Sequence, residues 1–186
     1  MEQTTVAAQG NQKSAPPREQ RERQHETINP EIQQVCFILA GGEYAVDISL
    51  VKEIIKPTME PTPVPQSPDF VEGVIDLRGD IIPILDLKKR FNIIENSEEI
   101  EPTRILVIKK EDIIVGFLVD SVTEVIRTRK NTIQNAPGKV VGIDTEYIWG
   151  VTKRTPESHL IMLLDIDKVL ELTDEQSGRR GTADMA

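Results

Sequence analysis

Residues 73–89 read Gly-Val-Ile-Asp-Leu-Arg-Gly-Asp-Ile-Ile-Pro-Ile-Leu-Asp-Leu-Lys-Lys. Two β-favouring runs flank Arg78-Gly79-Asp80, which predicts a hairpin turning there. The same order of features returns later. Gly150-Val151 is followed by a polar turn and then by Ile161-Met162-Leu163-Leu164-Asp165-Ile166-Asp167-Lys168. A second block precedes each copy. It is a strand, a turn, a strand, an Asp and then Val-x-Glu-[Ile/Val]-Ile, seen as Phe37…Asp47…Val51-Lys52-Glu53-Ile54-Ile55 and as Leu106…Asp120…Val122-Thr123-Glu124-Val125-Ile126. Two blocks repeated in the same order predict two related halves. Each half is expected to be a small barrel of about five strands, too small to be stable alone, so that the two share a core.

The rest of the chain reads outward from this repeat. Val35–Leu39 and Glu43–Ile48 flank Gly41-Gly42 and form a further predicted hairpin. Leu50–Ile55 fits either a helical turn or a bent strand. Five prolines between Pro57 and Pro68 predict an extended loop lying across one domain, since proline cannot donate to a ladder. Residues 92–103 are acidic and loop-like. Arg104–Ile108 and Ile113–Val119 are predicted strands, with Val122–Ile126 extending the latter. Asn135-Ala136-Pro137-Gly138 is a turn signal. Ile143–Trp149 is ambiguous, Gly150-Val151 opens a strand, and Lys88–Phe91 and Asp167–Leu172 are expected as short helical pieces. Residues 1–30 contain no Leu, Phe, Trp or Tyr and are expected to be a disordered tail, as are residues 173–186. The ordered domain is then residues 31–172.

Composition narrows the function. Net charge is −9 and the pI about 4.8, with no basic stripe. A nucleic-acid role or binding to an anionic membrane is therefore disfavoured. Aromatics are 4% of residues, too few for a stacking platform on small barrels. The basic clusters Lys88-Lys89-Arg90 and Arg127–Lys130 are short and read as solvated faces. One cysteine, Cys36, permits no internal disulfide and fits a reducing compartment. No apolar run approaches membrane-spanning length and the N-terminal stretch lacks the apolar core of a signal peptide, so the expected location is the cytoplasm.

Nothing in the sequence assembles chemistry. His25 lies in the predicted tail, His159 in a polar turn, and Cys36 heads an apolar strand where it reads as a small hydrophobe. No Cys/His spacing suits zinc and no phosphate-binding loop is present, so neither metal nor cofactor is expected. Asp47, Asp86, Asp120 and Asp165 recur at equivalent places and read as strand-end caps. A hydrolase built on them would lack a base. Arg78 at its hairpin tip is read as a solvated turn residue or as the partner of Glu53, since guanidinium suits paired carboxylate.

These residues resemble the CheW-like family. Phe37-Ile38-Leu39…Glu43-Tyr44-Ala45-Val46-Asp47-Ile48…Val51-Lys52-Glu53-Ile54 looks like the opening of such domains, and Gly73–Leu87 like their most recognisable motif. Val115–Val122 and Leu163-Leu164-Asp165 match later signatures, and the likeness covers residues 33–172. One departure is Asp76, where the family usually has Asn. The resemblance implies a mainly-β fold of two SH3-like five-stranded subdomains. It implies a non-enzymatic adaptor of bacterial chemotaxis, joining the cytoplasmic tips of chemoreceptors to the histidine kinase CheA through the kinase's regulatory domain. It implies receptor contact by Val51, Glu53, Gly73 and Arg78, and it assigns no residue to the kinase. An adaptor of the same family serving another kinase array is equally compatible with these residues.

Overall fold

A computed structural model describes residues 29–93, 103–136, 143 and 145–171. The expectations for residues 1–28 and 173–186, and most of the 92–103 loop, lie outside the described residues. The chain from Glu31 onward is mainly β. In chain order the strands are β1 (Glu31–Leu39), β2 (Gly42–Asp47), β3 (Val51–Ile55), β4 (Val71–Leu77), β5 (Asp80–Asp86), β6 (Arg104–Lys110), β7 (Ile113–Val119), β8 (Ser121–Arg129), β9 (Ile148–Thr152) and β10 (Ile161–Leu164). Two short helices follow the inner strands β5 and β10: α1 (Leu87–Arg90) and α2 (Ile166–Leu170). Of the two readings of Leu50–Ile55 the bent strand holds, since β3 covers Val51–Ile55 with a ladder slip, and a 3-10 turn at Ile48–Leu50 lies just before it.

The strands form two five-stranded sheets, ordered β8-β1-β2-β10-β9 and β3-β6-β7-β5-β4. The second order becomes the first when each strand is replaced by the one five places away in the chain. The repeat is therefore real, but the sheets are not its halves. The hairpin β1–β2 sits among strands of the second half, and β6–β7 among strands of the first. The expectation that each half is its own barrel is thus corrected, as is the reading of Val122–Ile126 as a continuation of the preceding strand. Asp120 separates β7 from β8, which crosses to the other sheet. Alternation fixes which face a residue takes but not which strand it meets.

Neither sheet closes completely, since the outer strands do not pair with each other along their length. Among the described residues a bridge closes each instead. Thr62, in the proline-rich loop after β3, exchanges two backbone hydrogen bonds with Val74 at 2.8 and 2.9 Å. Gln134, after β8, does the same with Val151 at 2.9 and 2.8 Å. The proline loop thus lies across one subdomain, as expected.

Irregularities recur with the strands. The β1–β8 ladder slips between Val35 and Phe37, where Thr123 and Glu124 face the gap, and the β3–β6 ladder slips between Val51 and Glu53. The β4–β5 and β9–β10 ladders slip beside Gly73 and near Gly150. Asp86 and Asp165 cap α1 and α2. Asp86 Oδ1 accepts from the Lys88 and Lys89 amides at 2.7 and 3.2 Å, and Asp165 Oδ1 from the Asp167 and Lys168 amides at 3.1 and 3.4 Å. Such caps are worth about 1 kcal/mol each. Asp47 accepts from the Ser49 amide and hydroxyl at 2.8 and 2.6 Å. Asp120 has a different task. It accepts from the Ala40 amide at 2.7 Å and pairs with Lys88 at 2.7 Å, tying the β1–β2 turn to α1.

The two faces of each sheet explain the shared core. Val35, Phe37, Leu39, Leu106, Ile108 and Phe117 belong to one large cluster that draws on both sheets and both helices. The opposite faces form two small clusters, Cys36-Ala45-Ile161-Leu163 in one sheet and Ile82-Ile84-Ile105-Val107 in the other. Ladder registers match Cys36 to Val107 and Ala45 to Gly116, which makes Gln34 the counterpart of Ile105. Gln34 is buried, and its Oε1 meets no hydrogen-bond partner among the described residues. An unmet buried carbonyl costs about 1–3 kcal/mol. Gln34→Leu is accordingly expected to raise stability by about 1 kcal/mol, read as a higher urea midpoint with unchanged slope. A lowered midpoint would show that the amide is satisfied in solution.

Candidate functional site

Glu53 and Arg78 meet. Glu53 lies on β3, an edge strand, with its side chain largely covered, and Arg78 stands at the β4–β5 tip with its side chain 79% exposed. The guanidinium Nη2 is 3.2 Å from Glu53 Oε2, and Lys52 pairs with Asp80 at 3.3 Å beside it. Two ion pairs thus join an edge strand to the hairpin tip. The sequence choice between a solvated Arg78 and a Glu53 pair resolves as both, because the pair uses only one edge of an otherwise exposed guanidinium. An exposed pair of this kind contributes under about 1 kcal/mol to stability.

The turn itself is tight. Leu77 pairs with Asp80, leaving a two-residue loop in which Arg78 has φ 57° and Gly79 φ 92°. That loop favours Asn-Gly, because a side chain in the left-handed region is strained unless it can bond locally. Arg at this place costs about 1 kcal/mol relative to the favoured residues. Asp76 Oδ1 accepts from the Gly79 amide at 2.7 Å, so the carboxylate supplies the acceptor that an Asn amide oxygen would supply.

Val51 and Gly73 stand differently. Val51 opens β3 opposite Ile108 and packs against the shared core. Gly73 is buried with φ 146°, and a Cβ there would lie 2.3 Å from the Thr62 carbonyl oxygen. The structure therefore brings together Glu53 and Arg78 and gives Val51 and Gly73 packing roles. Two exposed residues stand next to the ion pairs: Ile54, where core packing is the expectation for an isoleucine flanking Glu53 and is corrected by its 45% exposure, and Ile81, which had no expected role and is 66% exposed. The available signal for Ile54 was an isoleucine at an outward-facing position of edge strand β3, whereas Ile81 lies at the start of inner strand β5.

The second half carries a counterpart to the pair, which the sequence reading did not find. Glu124, matched to Glu53 by the common ladder slip, pairs with Arg154 at 2.7 Å. Arg154 lies in the β9–β10 connection and also binds Glu43, one of the two contacts being 2.8 Å. Val125 and Leu160, the matches of Ile54 and Ile81, are 49% and 42% exposed. Unequal loop lengths hid this correspondence.

The basic cluster at residues 88–90 is not a solvated face. Lys88 pairs with Asp120, and Lys89 with Glu72. Arg90 reaches from α1 to the end of α2, donating to the carbonyls of Val169 at 3.1 Å, Lys168 at 3.2 Å and Glu171 at 2.6 Å. Its guanidinium lies 4.8 Å from the Phe70 ring centre and 4.9 Å from that of Tyr147.

Among the described residues, reactive groups are not assembled. Burial pushes the Cys36 thiol up to about 12, so it stays protonated and non-nucleophilic near neutrality. His159 is exposed. Among the described residues no group of three His, Cys, Asp or Glu could hold a metal ion. An open cleft of about 330 Å³ under the proline loop is lined by Pro57, Met59, Pro61, Ile105 and Leu118, with Glu72 at its side. No described helix is long and apolar enough to cross a membrane.

Two sheets share one core, and comparisons with known proteins say to which family such a fold belongs here. The family model of the CheW-like domain matches residues 33–174. The chemotaxis protein CheW of Treponema pallidum is 37% identical over 153 residues, covering 80% of this chain and 88% of that protein. That of Bacillus subtilis is 36% identical over 143 residues, covering 77% and 89%. The crystal structure of the scaffolding protein TtCheW from Thermoanaerobacter tengcongensis superposes with a TM-score of 0.66 at 35% identity, covering 77% of this chain and 90% of that one. The chain belongs to the CheW-like family. It is a non-catalytic scaffold of chemotaxis signalling.

Proposed function

We propose that this protein couples the cytoplasmic tips of chemoreceptors to the histidine kinase CheA, in the cytoplasm at membrane receptor arrays. Receptor contact is made by the β3 edge and the β4–β5 tip of one subdomain, with Arg78 at its centre. The observation that carries this reading is an exposed arginine kept in a turn position that disfavours it, paired to Glu53 and flanked by exposed Ile54 and Ile81. A guanidinium with free donors beside aliphatic side chains fits a carboxylate at the rim of an apolar contact. The adaptor works without turnover. By holding two partners at once it raises their effective concentration and ties receptor conformation to kinase activity.

Arg78→Glu is expected to place like charge against Glu53 and lower receptor co-sedimentation at least about tenfold, the ratio for 1.4 kcal/mol, with the fold intact. Arg78→Asn separates turn from contact. Asn suits the left-handed position, so stability is expected to rise by about 0.5–1 kcal/mol while receptor binding still falls. Unchanged co-sedimentation by a folded variant refutes the assignment. The purified protein is also expected to show neither ATPase nor phosphotransfer activity, and robust turnover in clean material would contradict the adaptor role.

A further inference from the structure

The strand order carries an inference about assembly that rests on the fold and not on the proposed partners. Among the described residues, the only ladders within 31–93 are the hairpins β1–β2 and β4–β5, and the only ladders within 103–171 are β6–β7 and β9–β10. Every other ladder joins one half to the other: β1 with β8, β2 with β10, β3 with β6, and β5 with β7. The Asp120–Lys88 pair and the Arg90 contacts to α2 also cross between the halves. The chain passes from the first half to the second once, between Ile93 and Thr103.

We propose that the two halves are complementary assembly units, and that a second copy of the chain can complete either half by exchanging it, giving a strand-exchanged dimer. Each half alone is a pair of hairpins and one strand, β3 or β8, that finds its ladder only in the other half, and isolated two-stranded hairpins are marginal in water. Supplied by another copy, the opposite half offers the same four ladders in the same registers. The monomer and the exchanged dimer then differ in the single connection and in concentration. A short covalent link gives an effective concentration in the millimolar range, so the closed monomer dominates dilute solution. Refolding at high concentration lets halves of different copies meet first. The dimer so formed carries two complete sets of binding surfaces, which makes it a bivalent adaptor.

Two full-length variants test this. Ile84→Asp disables the first half and Val107→Asp the second, each placing a carboxylate at a fully buried site. Each variant alone is expected to refold poorly. Unfolded together and refolded, they are expected to give a dimer with one native pair of halves and about half of the native near-ultraviolet signal of an equal mass of wild type, recovered through either of two affinity tags. Differently tagged wild-type chains provide the second measurement. Co-refolded at about 1 mM, they form a mixed-tag dimer that outlasts dilution, whereas folded monomers mixed without unfolding form none. Absence of both the rescue and the mixed-tag dimer overturns the proposal. A mixed species that disperses at once on dilution is surface association and overturns it as well.

Discussion

Gly73→Ala is expected to be among the most disruptive single-methyl changes in this protein, lowering stability by about 3–5 kcal/mol. The added carbon meets backbone, since Thr62 O would lie at 2.3 Å and Thr62 C at 2.7 Å. No side-chain rotation relieves that contact. The φ of 146° adds strain of about 1–3 kcal/mol for any residue with a Cβ. Relief requires the proline loop to lift from β4, which opens the two Thr62–Val74 hydrogen bonds, worth about 1 kcal/mol each. For a chain of this length the loss corresponds to a fall of about 10 °C in the thermal midpoint. A midpoint within 2 °C of wild type would show that the loop moves freely. The same variant separates packing from contact. Receptor binding is expected to fall with the folded fraction and to recover on cooling, whereas the Arg78 variants are expected to stay weak binders at every temperature.

Arg90→Met is the second large effect. Methionine keeps apolar contact with Phe70 and Tyr147 but removes three donors to the end of α2. A hydrogen bond from a charged group contributes about 1.5–3 kcal/mol, less where water competes, as it does at Glu171. The loss of cation–π attraction adds about 0.5–1 kcal/mol. A total of about 2–4 kcal/mol is expected by denaturant titration, with faster amide hydrogen exchange in residues 166–170. Arg90→Lys is expected to recover less than half, because a point charge cannot serve three carbonyls spread around a planar fork. Full recovery by lysine would mean that charge alone holds α2.

Particular residues show what the sequence carries and what it does not. The hairpin read around Gly41-Gly42, which turns one residue earlier at Ala40-Gly41, the hairpin at Arg78-Gly79, and the caps at Asp86 and Asp165 were legible because each rests on neighbours a few residues apart. The repeat was legible because both halves keep the same blocks in the same order. Exchange of hairpins between the halves was not, because period-2 patterns choose a face and leave the partner open. Asp120 looked like Asp47 in the chain but serves a residue 80 positions away. Arg90 looked like one of three solvated cations, and only the fold brings α2 within its reach. For the site, arginine chemistry pointed to Glu53 correctly. Arg154 stayed hidden, since the connection that carries it is longer than the two-residue turn of Arg78.

The ladder between β2 and β10 has a consequence for how the protein is made. Glu43 and Ile161 are register partners, 118 residues apart by subtraction of their numbers. At translation rates of about 5–20 residues per second, β2 waits about 6–24 s before its neighbour leaves the ribosome. Through that interval the growing chain presents the unpaired edge of β2, so the nascent polypeptide is an expected client of ribosome-associated chaperones. Slow codons placed before residue 161 are expected to lower soluble yield rather than help folding.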